Sequence, residues 1–354
     1  MTSEPVAVVG VGMLTAVGLT APETAAAVRA HTSRFIESTI QDKKRQPYII
    51  AEVPADALSD ISISFNDAAS RLTAREQRLA RLAVRPLREC LAPLGADAPP
   101  LSLCLALPEA DTTRPLARLA VLRSLAAAVG EVVQAERSDV SHAGRAGGLA
   151  AIGQAILALQ SGHSDFILAG GIDTYRDAYV LSALDIARRV KSESNWDGFI
   201  PGEAAAFLLL TRGNLATQRG LPVLATISAV NFGFEPGHLH SKEIYRGEGL
   251  ATTITGLLAG RGLAMPIAEV FSSMTGESHW PKEWGVAYLR NKDAFTADHG
   301  MHHPADCYGE TGAASGPLLV GLASLGMQKR YRRAPALVYA SSDRGARAAA
   351  IVSI

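Results

Sequence analysis

The residues of this 354-residue chain that could do chemistry are few and scattered. His299, His302, His303 and Cys307 lie close together and are zinc-ligand types. Their spacing matches no standard site and no second ligand pair accompanies them, so they read as polar loop residues near a buried turn. Gly10-Val-Gly12 follows an apolar run and invites a dinucleotide reading, but the third glycine of that fingerprint would fall on Thr15. The sequence contains no phosphate-loop Gly-Lys-Ser/Thr, no Gly-x-Ser-x-Gly elbow and no His-Glu-x-x-His. The three cysteines, Cys90, Cys104 and Cys307, could act as nucleophiles only as thiolates. Neither a cofactor nor a metal is expected.

The elements around these residues alternate between strands and helices. Pro5-Val-Ala-Val-Val-Gly-Val-Gly12 is a continuous apolar run closed by glycines, which predicts a strand buried on both faces. Thr20-Ala-Pro-Glu23 and Thr73-Ala-Arg-Glu76 have capping-box spacing and open helices. Leu79, Leu82, Ala83, Leu87 and Leu91 recur at helical spacing, with Pro86 expected to kink that helix and Cys90 in its core. Residues 41–54 read as a surface excursion, 101–107 as a strand, 113–133 as a helix, and 166–169, 204–210 and 225–230 as strands. The second part repeats the theme: helices over 248–260 and 282–291, extended chain over 267–272, and strands over 336–340 and 348–354. Arg145-Ala-Gly-Gly148 opens an Ala/Gly-rich helix leading to the strand Phe166-Ile-Leu-Ala169. Glu310-Thr-Gly-Ala313 opens another, leading to Ala336-Leu-Val-Tyr339-Ala340. The shared layout suggests two related halves, 1–214 and 215–354, each placing a buried helix N-terminus at the centre. The class is α/β.

Composition excludes several functions. Lys and Arg number 34, as do Asp and Glu, so the chain is neither a generally basic nucleic-acid binder nor an acidic tail protein. Apolar residues make up 48%, the profile of a well-buried globular protein. The longest apolar run, Ala204 to Leu210, has seven residues, far short of a bilayer span. The first basic residue is Arg29, so no signal peptide is expected, and the odd, scattered cysteines favour a reducing cytoplasm.

Several segments together resemble the β-ketoacyl synthase branch of the thiolase-like condensing enzymes. Val8-Val-Gly10-Val-Gly12-Met-Leu-Thr-Ala-Val-Gly18 is similar to the family's opening strand and turn. Ile152-Gly153-Gln154-Ala155, Ser161-Gly162-His-Ser-Asp165 and Ala169-Gly170-Gly171 are similar to the helix after the nucleophile and its strand. Asp197-Gly-Phe199-Ile-Pro-Gly202-Glu203-Ala-Ala resembles the family's D-G-F-x-x-G-E-G-A segment, and Gly309 to Gly316 its G-H-T-x-x-A-A-G segment. The resemblance covers nearly the whole chain in order. It implies a thiolase-like five-layer αβαβα sandwich of two pseudo-duplicated halves, with the helices after Gly147 and Thr311 side by side in the middle. The chain is shorter than typical members, which implies trimmed loops.

The family's chemistry uses a Cys at a helix N-terminus and two histidines that assist decarboxylation and stabilise developing charge. Carried over position by position, the nucleophile falls on Arg145, the first His on Ser273 and the second on Glu310. The family's lysine falls on Ala305, and its Gly-rich gate on Ser342-Asp-Arg-Gly-Ala-Arg347. A guanidinium is neither nucleophile nor base. Cys307, near Glu310, is the one thiol that could substitute, and His142 a candidate base set against a plain loop histidine. The resemblance therefore implies a condensing-enzyme fold that no longer condenses. Such a protein would act as partner, adaptor or scaffold, like a chain-length factor or an accessory to a secreted bacterial effector. The alternatives are an active acyl-carrier-protein synthase or acyltransferase with relocated residues, and a module that binds acyl chains or acyl carrier protein. A homo- or heterodimer is the default, with a synthase, carrier protein or effector as candidate partner and neither nucleic acid nor membrane. Buried charges at positions 145 and 310 call for a direct or water-bridged Arg145–Glu310 pair filling the former acyl pocket, with Arg145 reaching across to the carboxylate; the alternative is that trimmed loops leave both residues solvated and apart.

Overall fold

The structure, a computed structural model, describes residues 5–61, 72–95, 98–110, 114–130, 132–259 and 265–354. In chain order the strands are β1 (Val6–Leu14), β2 (Ile36–Gln41), β3 (Pro47–Ile50), β4 (Ser102–Ala106), β5 (Asp139–Ser141), β6 (Phe166–Thr174), β7 (Glu203–Arg212), β8 (Ala225–Phe234), β9 (Ile267–Ser272), β10 (Phe295–His302), β11 (Ala336–Ser341) and β12 (Ala346–Ser353). The helices are α1 (Ala21–Arg29), α2 (Ala74–Leu91), α3 (Arg118–Val129), α4 (Arg145–Gln160), α5 (Ala178–Ile186), α6 (Gly213–Gln218), α7 (Glu248–Ala259), α8 (His279–Asn291), α9 (Ala305–Tyr308) and α10 (Ser315–Gln328).

Ten strands bond in the order β10-β9-β11-β12-β8-β1-β7-β6-β4-β5, and β2 pairs with β3 apart from them. Both flanks repeat one pattern. β4 runs parallel to β5 and β6, while β7 is antiparallel to β6 and β1. β9 runs parallel to β10 and β11, while β12 is antiparallel to β11 and β8. Among the described residues, the two flanks of the sheet join where Val6–Val8 pair with residues 225–227. β1 is buried along its whole length, as its unbroken apolar run demands.

The two flanks enclose α4 and α10, and one apolar cluster threads both inner faces and both helices. α2 and α3 cover the outside of the first flank, α7 and α8 that of the second, each over its own apolar cluster. This is the five-layer αβαβα arrangement. The small residues of the central helices are a packing requirement: a Cβ on Gly148 would stand 2.3 Å from Pro317 Cδ, and one on Gly316 would stand 2.6 Å from the Leu149 nitrogen. Larger side chains there would force the helices apart.

Local sequence signals hold with specific corrections. Thr73 and Glu76 form the reciprocal capping box of α2, and Pro86 lies inside that helix without ending it. Thr20 caps α1 through the Glu23 N–H, but Glu23 accepts from Leu19 rather than from Thr20. The helix expected over 113–133 is shorter: α3 ends before Gly130, whose φ of +81° stops it, and residues 113 and 131 lie outside the described residues. The stretch read as a surface excursion contains β3, where Tyr48 and Ile50 are buried against α5. No helix among the described residues is long and apolar enough to cross a membrane.

Candidate functional site

The N-termini of α4 and α10 face each other at the centre of the molecule. Arg145 is the first residue of α4, positioned by Gly144, whose φ of +57° favours glycine. Ser342, in the turn between β11 and β12, accepts from the Ala146 N–H at 2.8 Å and donates to the Ala143 carbonyl, so a remote hydroxyl caps α4. Across the gap, Glu310 is held by its backbone. Its N–H donates to Ile200 and its carbonyl accepts from Gly202, both residues of the 197–205 segment. Its carboxylate accepts from the Gly312 N–H at 2.6 Å, in the 3-10 turn Gly312–Ala314 that leads into α10. The Ala313 N–H donates instead to the buried Asp173.

Arg145 crosses the gap. Its Nε donates to Glu310 at 2.6 Å and its Nη1 to Asp343 at 2.6 Å, with both Arg145 and Glu310 almost wholly enclosed. Asp343 is shared: Arg189 Nη1 reaches its other oxygen at 2.5 Å. Arg189 also grips Glu277 through two bonds, at 2.7 and 2.9 Å, and Glu277 accepts from the Trp280 indole. The Arg145 guanidinium carbon lies over the Trp280 ring, 4.8 Å from its centroid, and its Nη2 is buried without a hydrogen-bond partner. A second buried pair, Arg347–Glu283, closes the far side, with Glu283 accepting from Ser341. From Glu310 through Arg145, Asp343 and Arg189 to Glu277, guanidiniums alternate with carboxylates in one ionic lattice, and Arg347–Glu283 is a separate pair beside it.

Protonation follows from this geometry. Burial opposes ionisation of Asp343, but the guanidiniums of Arg145 and Arg189 outweigh it and hold the carboxyl well below its ordinary value. Burial pushes Glu310 up, and Arg145 and the Gly312 N–H pull it only partly back. Burial also opposes the charge on Arg145, yet Glu310 and Asp343 together keep it protonated. Glu109, which accepts from the Arg344 N–H, is pushed up to about 7 by burial and by Asp343.

Ser273 is also buried here. Its N–H donates to Tyr339 and its hydroxyl accepts from the Ser341 N–H at 3.1 Å, so it braces the strand ends. Ser273 and Glu310 share the wall of a cavity of about 10 Å³, room for one water at most. The structure thus brings Arg145, Ser273 and Glu310 together.

The remaining sequence candidates sit elsewhere or in other roles. His142 lies against the Arg118 guanidinium, and half-burial and that cation lower its pKa. Cys307 is buried in α9 and its thiol is raised by burial and Asp306. Burial raises Cys90 well above the usual thiol range and pushes Cys104 up to about 12. No thiol is therefore poised as a thiolate. His302 bonds Glu269, His303 bonds Ser272, and His299 bonds the Thr296 carbonyl. Glu203 is a structural anchor, accepting from Arg78, Thr174 and the Val53 N–H. Asp343, Arg189, Glu277 and Trp280 complete the site and were not singled out from the sequence. The signal that could have found them is charge complementarity: a gate carrying Asp343 and Arg347, and Glu277 beside Ser273, need buried partners once position 145 is Arg.

Comparison with known proteins agrees with this architecture. Residues 139–216, from β5 through α4 to β7, match the family model of the beta-ketoacyl synthase N-terminal domain. No curated protein matches the chain. Among solved structures, the ishigamide ketosynthase/chain length factor is similar at 16% identity, with TM-score 0.78 over 99% of each chain. A type II PKS acyl-carrier protein in complex with its ketosynthase bound to the hexaketide is similar at 14% identity, with TM-score 0.78 and 99% of each chain covered. The ketosynthase from module 6 of the bacillaene synthase of Bacillus subtilis 168 is similar at 14% identity, with TM-score 0.79 over 99% of this chain and 72% of that one. At these identities the likeness establishes the fold. The chain has the thiolase-like architecture of the ketosynthases.

Proposed function

We propose that this protein is a non-condensing, chain-length-factor-like member of the ketosynthase fold that works as the partner of another protein. In this reading Arg145, Ser273 and Glu310 stand at the family's nucleophile and histidine positions, and the halves meet near residue 214. The observation that carries the proposal is the state of Arg145. The residue at the head of α4 is a guanidinium locked between Glu310 and Asp343, both at 2.6 Å. A locked cation offers no lone pair to attack a thioester, and the neighbouring carboxylate cannot donate the hydrogen bonds that an enolate or oxyanion needs. A cavity of about 10 Å³ leaves no room at this point for an acyl chain, which argues against an acyl-binding module.

The partner role draws support from the surface. β5 is an edge strand among the described residues, and elsewhere α4 exposes Leu157 and β8 half exposes Phe232 and Phe234. An unpaired edge and exposed apolar side chains each suit a second polypeptide. The similar structures include a ketosynthase/chain length factor and a ketosynthase with its acyl-carrier protein, which favours a two-chain assembly for this chain too. Three free thiols suit the cytoplasm.

The test is intact-mass spectrometry after incubation with acyl and malonyl carrier-protein thioesters. The protein should retain its unmodified mass. An acyl adduct mapping to Cys307 or another cysteine would establish an enzyme with relocated residues and overturn the proposal.

A further inference from the structure

Far from the ionic lattice, α10 ends in the run Lys329-Arg-Tyr-Arg-Arg333. Its 14 residues put that end roughly 20 Å from the site at its head. The end of α1 lies alongside, and the Arg29 guanidinium stacks on the Tyr331 ring at 4.6 Å, with Arg332 at 5.7 Å from the same centroid. Arg333 turns to Asp298 and Glu269. Among the described residues, Arg29, Lys329, Arg330 and Arg332 have no carboxylate within ion-pair distance, although the chain as a whole is neutral.

Two hollows flank this ridge. One, of about 360 Å³, lies between Pro22, Ala26, Arg29, Lys329 and Tyr331. The other, of about 480 Å³, is lined by Met265, Pro266, Met327, Ile354, Arg330 and Arg332 among others. The helix dipole favours cations at a helix C-terminus, which accounts for Arg29 in the last turn of α1 and for Lys329 just past α10 as stabilising residues. It does not account for Arg330, which adopts φ +59° at the end of α10, or His31, at φ +53° after α1. Glycine relieves strain at such positions, so the basic side chains there are not the choice that helix termination favours.

We propose that this ridge is a docking surface for an acidic, amphipathic segment of a partner protein, whose carboxylates meet the free guanidiniums and whose apolar side chains enter the two hollows. Arginine forks match carboxylates with two parallel bonds, and Arg and Tyr are the side chains that anchor protein interfaces. The two hollows are open to solvent and can take inserted side chains of a partner segment. The ridge's cations come from two helix ends rather than a groove that tracks a phosphate backbone.

The test uses a fluorescein-labelled helical peptide with Glu on one face and Leu on the other, and its Glu-to-Gln counterpart, each titrated by anisotropy. Phosphatidylglycerol/phosphatidylcholine vesicles and a single-stranded oligonucleotide serve as competing probes. The acidic peptide should bind with an affinity that falls as salt rises, and at least tenfold tighter than the Gln peptide. The triple variant Lys329→Gln, Arg330→Gly, Arg332→Gln should weaken it at least tenfold. Arg330→Gly alone should weaken binding while leaving the melting temperature unchanged or higher, which a purely structural arginine would not do. Failure of the acidic peptide to bind, equal binding of the Gln peptide, unchanged affinity in the triple variant, or tighter binding of the vesicles or oligonucleotide would each overturn the proposal.

Discussion

Replacing Arg145 by Met should expose how the lattice is held together. The variant leaves Glu310 buried with the Gly312 N–H as its remaining strong partner, while Asp343 keeps Arg189. Stripping one partner from a buried pair costs about 3–5 kcal/mol, because a desolvated charge is left uncompensated. Glu310→Gln is milder: Arg145 retains Asp343, and the amide oxygen still accepts from Gly312, so about 2 kcal/mol is expected. Independent effects would sum to about 6 kcal/mol, whereas the double variant should lose only about 3 kcal/mol, since the neutral amide no longer needs the guanidinium. Urea denaturation of the four proteins measures the cycle. The Arg145→Met deficit should also depend on pH. Without the guanidinium, the folded Glu310 carboxyl titrates above its unfolded value. Its favourable contribution is then complete below the unfolded value and lost as pH rises, so the deficit should be smaller near about pH 5 than near about pH 8. Additivity within about 0.5 kcal/mol would refute the coupling.

Arg145→Cys should not restore condensation in a thioester turnover assay, because in the proposed reading Ser273 and Glu310 still occupy the positions of the family's histidines. Gly148→Ala should cost about 2–3 kcal/mol by thermal denaturation, because its Cβ would stand 2.3 Å from Pro317 Cδ and 2.7 Å from the Ala313 carbonyl. Glu109, raised to about 7, favours its protonated form in the fold. Wild type should therefore lose stability as pH rises from the ordinary carboxylate range towards about 7, and Glu109→Gln should flatten that slope in melting curves.

Much of the fold was legible because its signals are local. The unbroken apolar run of β1, the Thr73 capping box and the glycine-rich start of α4 each state their structure within a few residues. The Arg145–Glu310 pair was legible for a different reason: the family resemblance set two charges at facing helix ends, where they could either pair or be solvated apart, and burial selects pairing. Asp343 and Arg189 escaped because their contacts join residues 154 and 198 positions apart, and no periodicity encodes such distances. α5 escaped because only Leu181 is buried along it, and β3 because its alternation spans four residues among polar neighbours.

The most direct measurement is the rate of carbon dioxide release and condensation from acyl and malonyl carrier-protein thioesters by the purified wild-type protein, set against a no-protein control. With Arg145 locked between two carboxylates, the rate should equal that of the control. Turnover above the control that persists through further purification would contradict a non-condensing site.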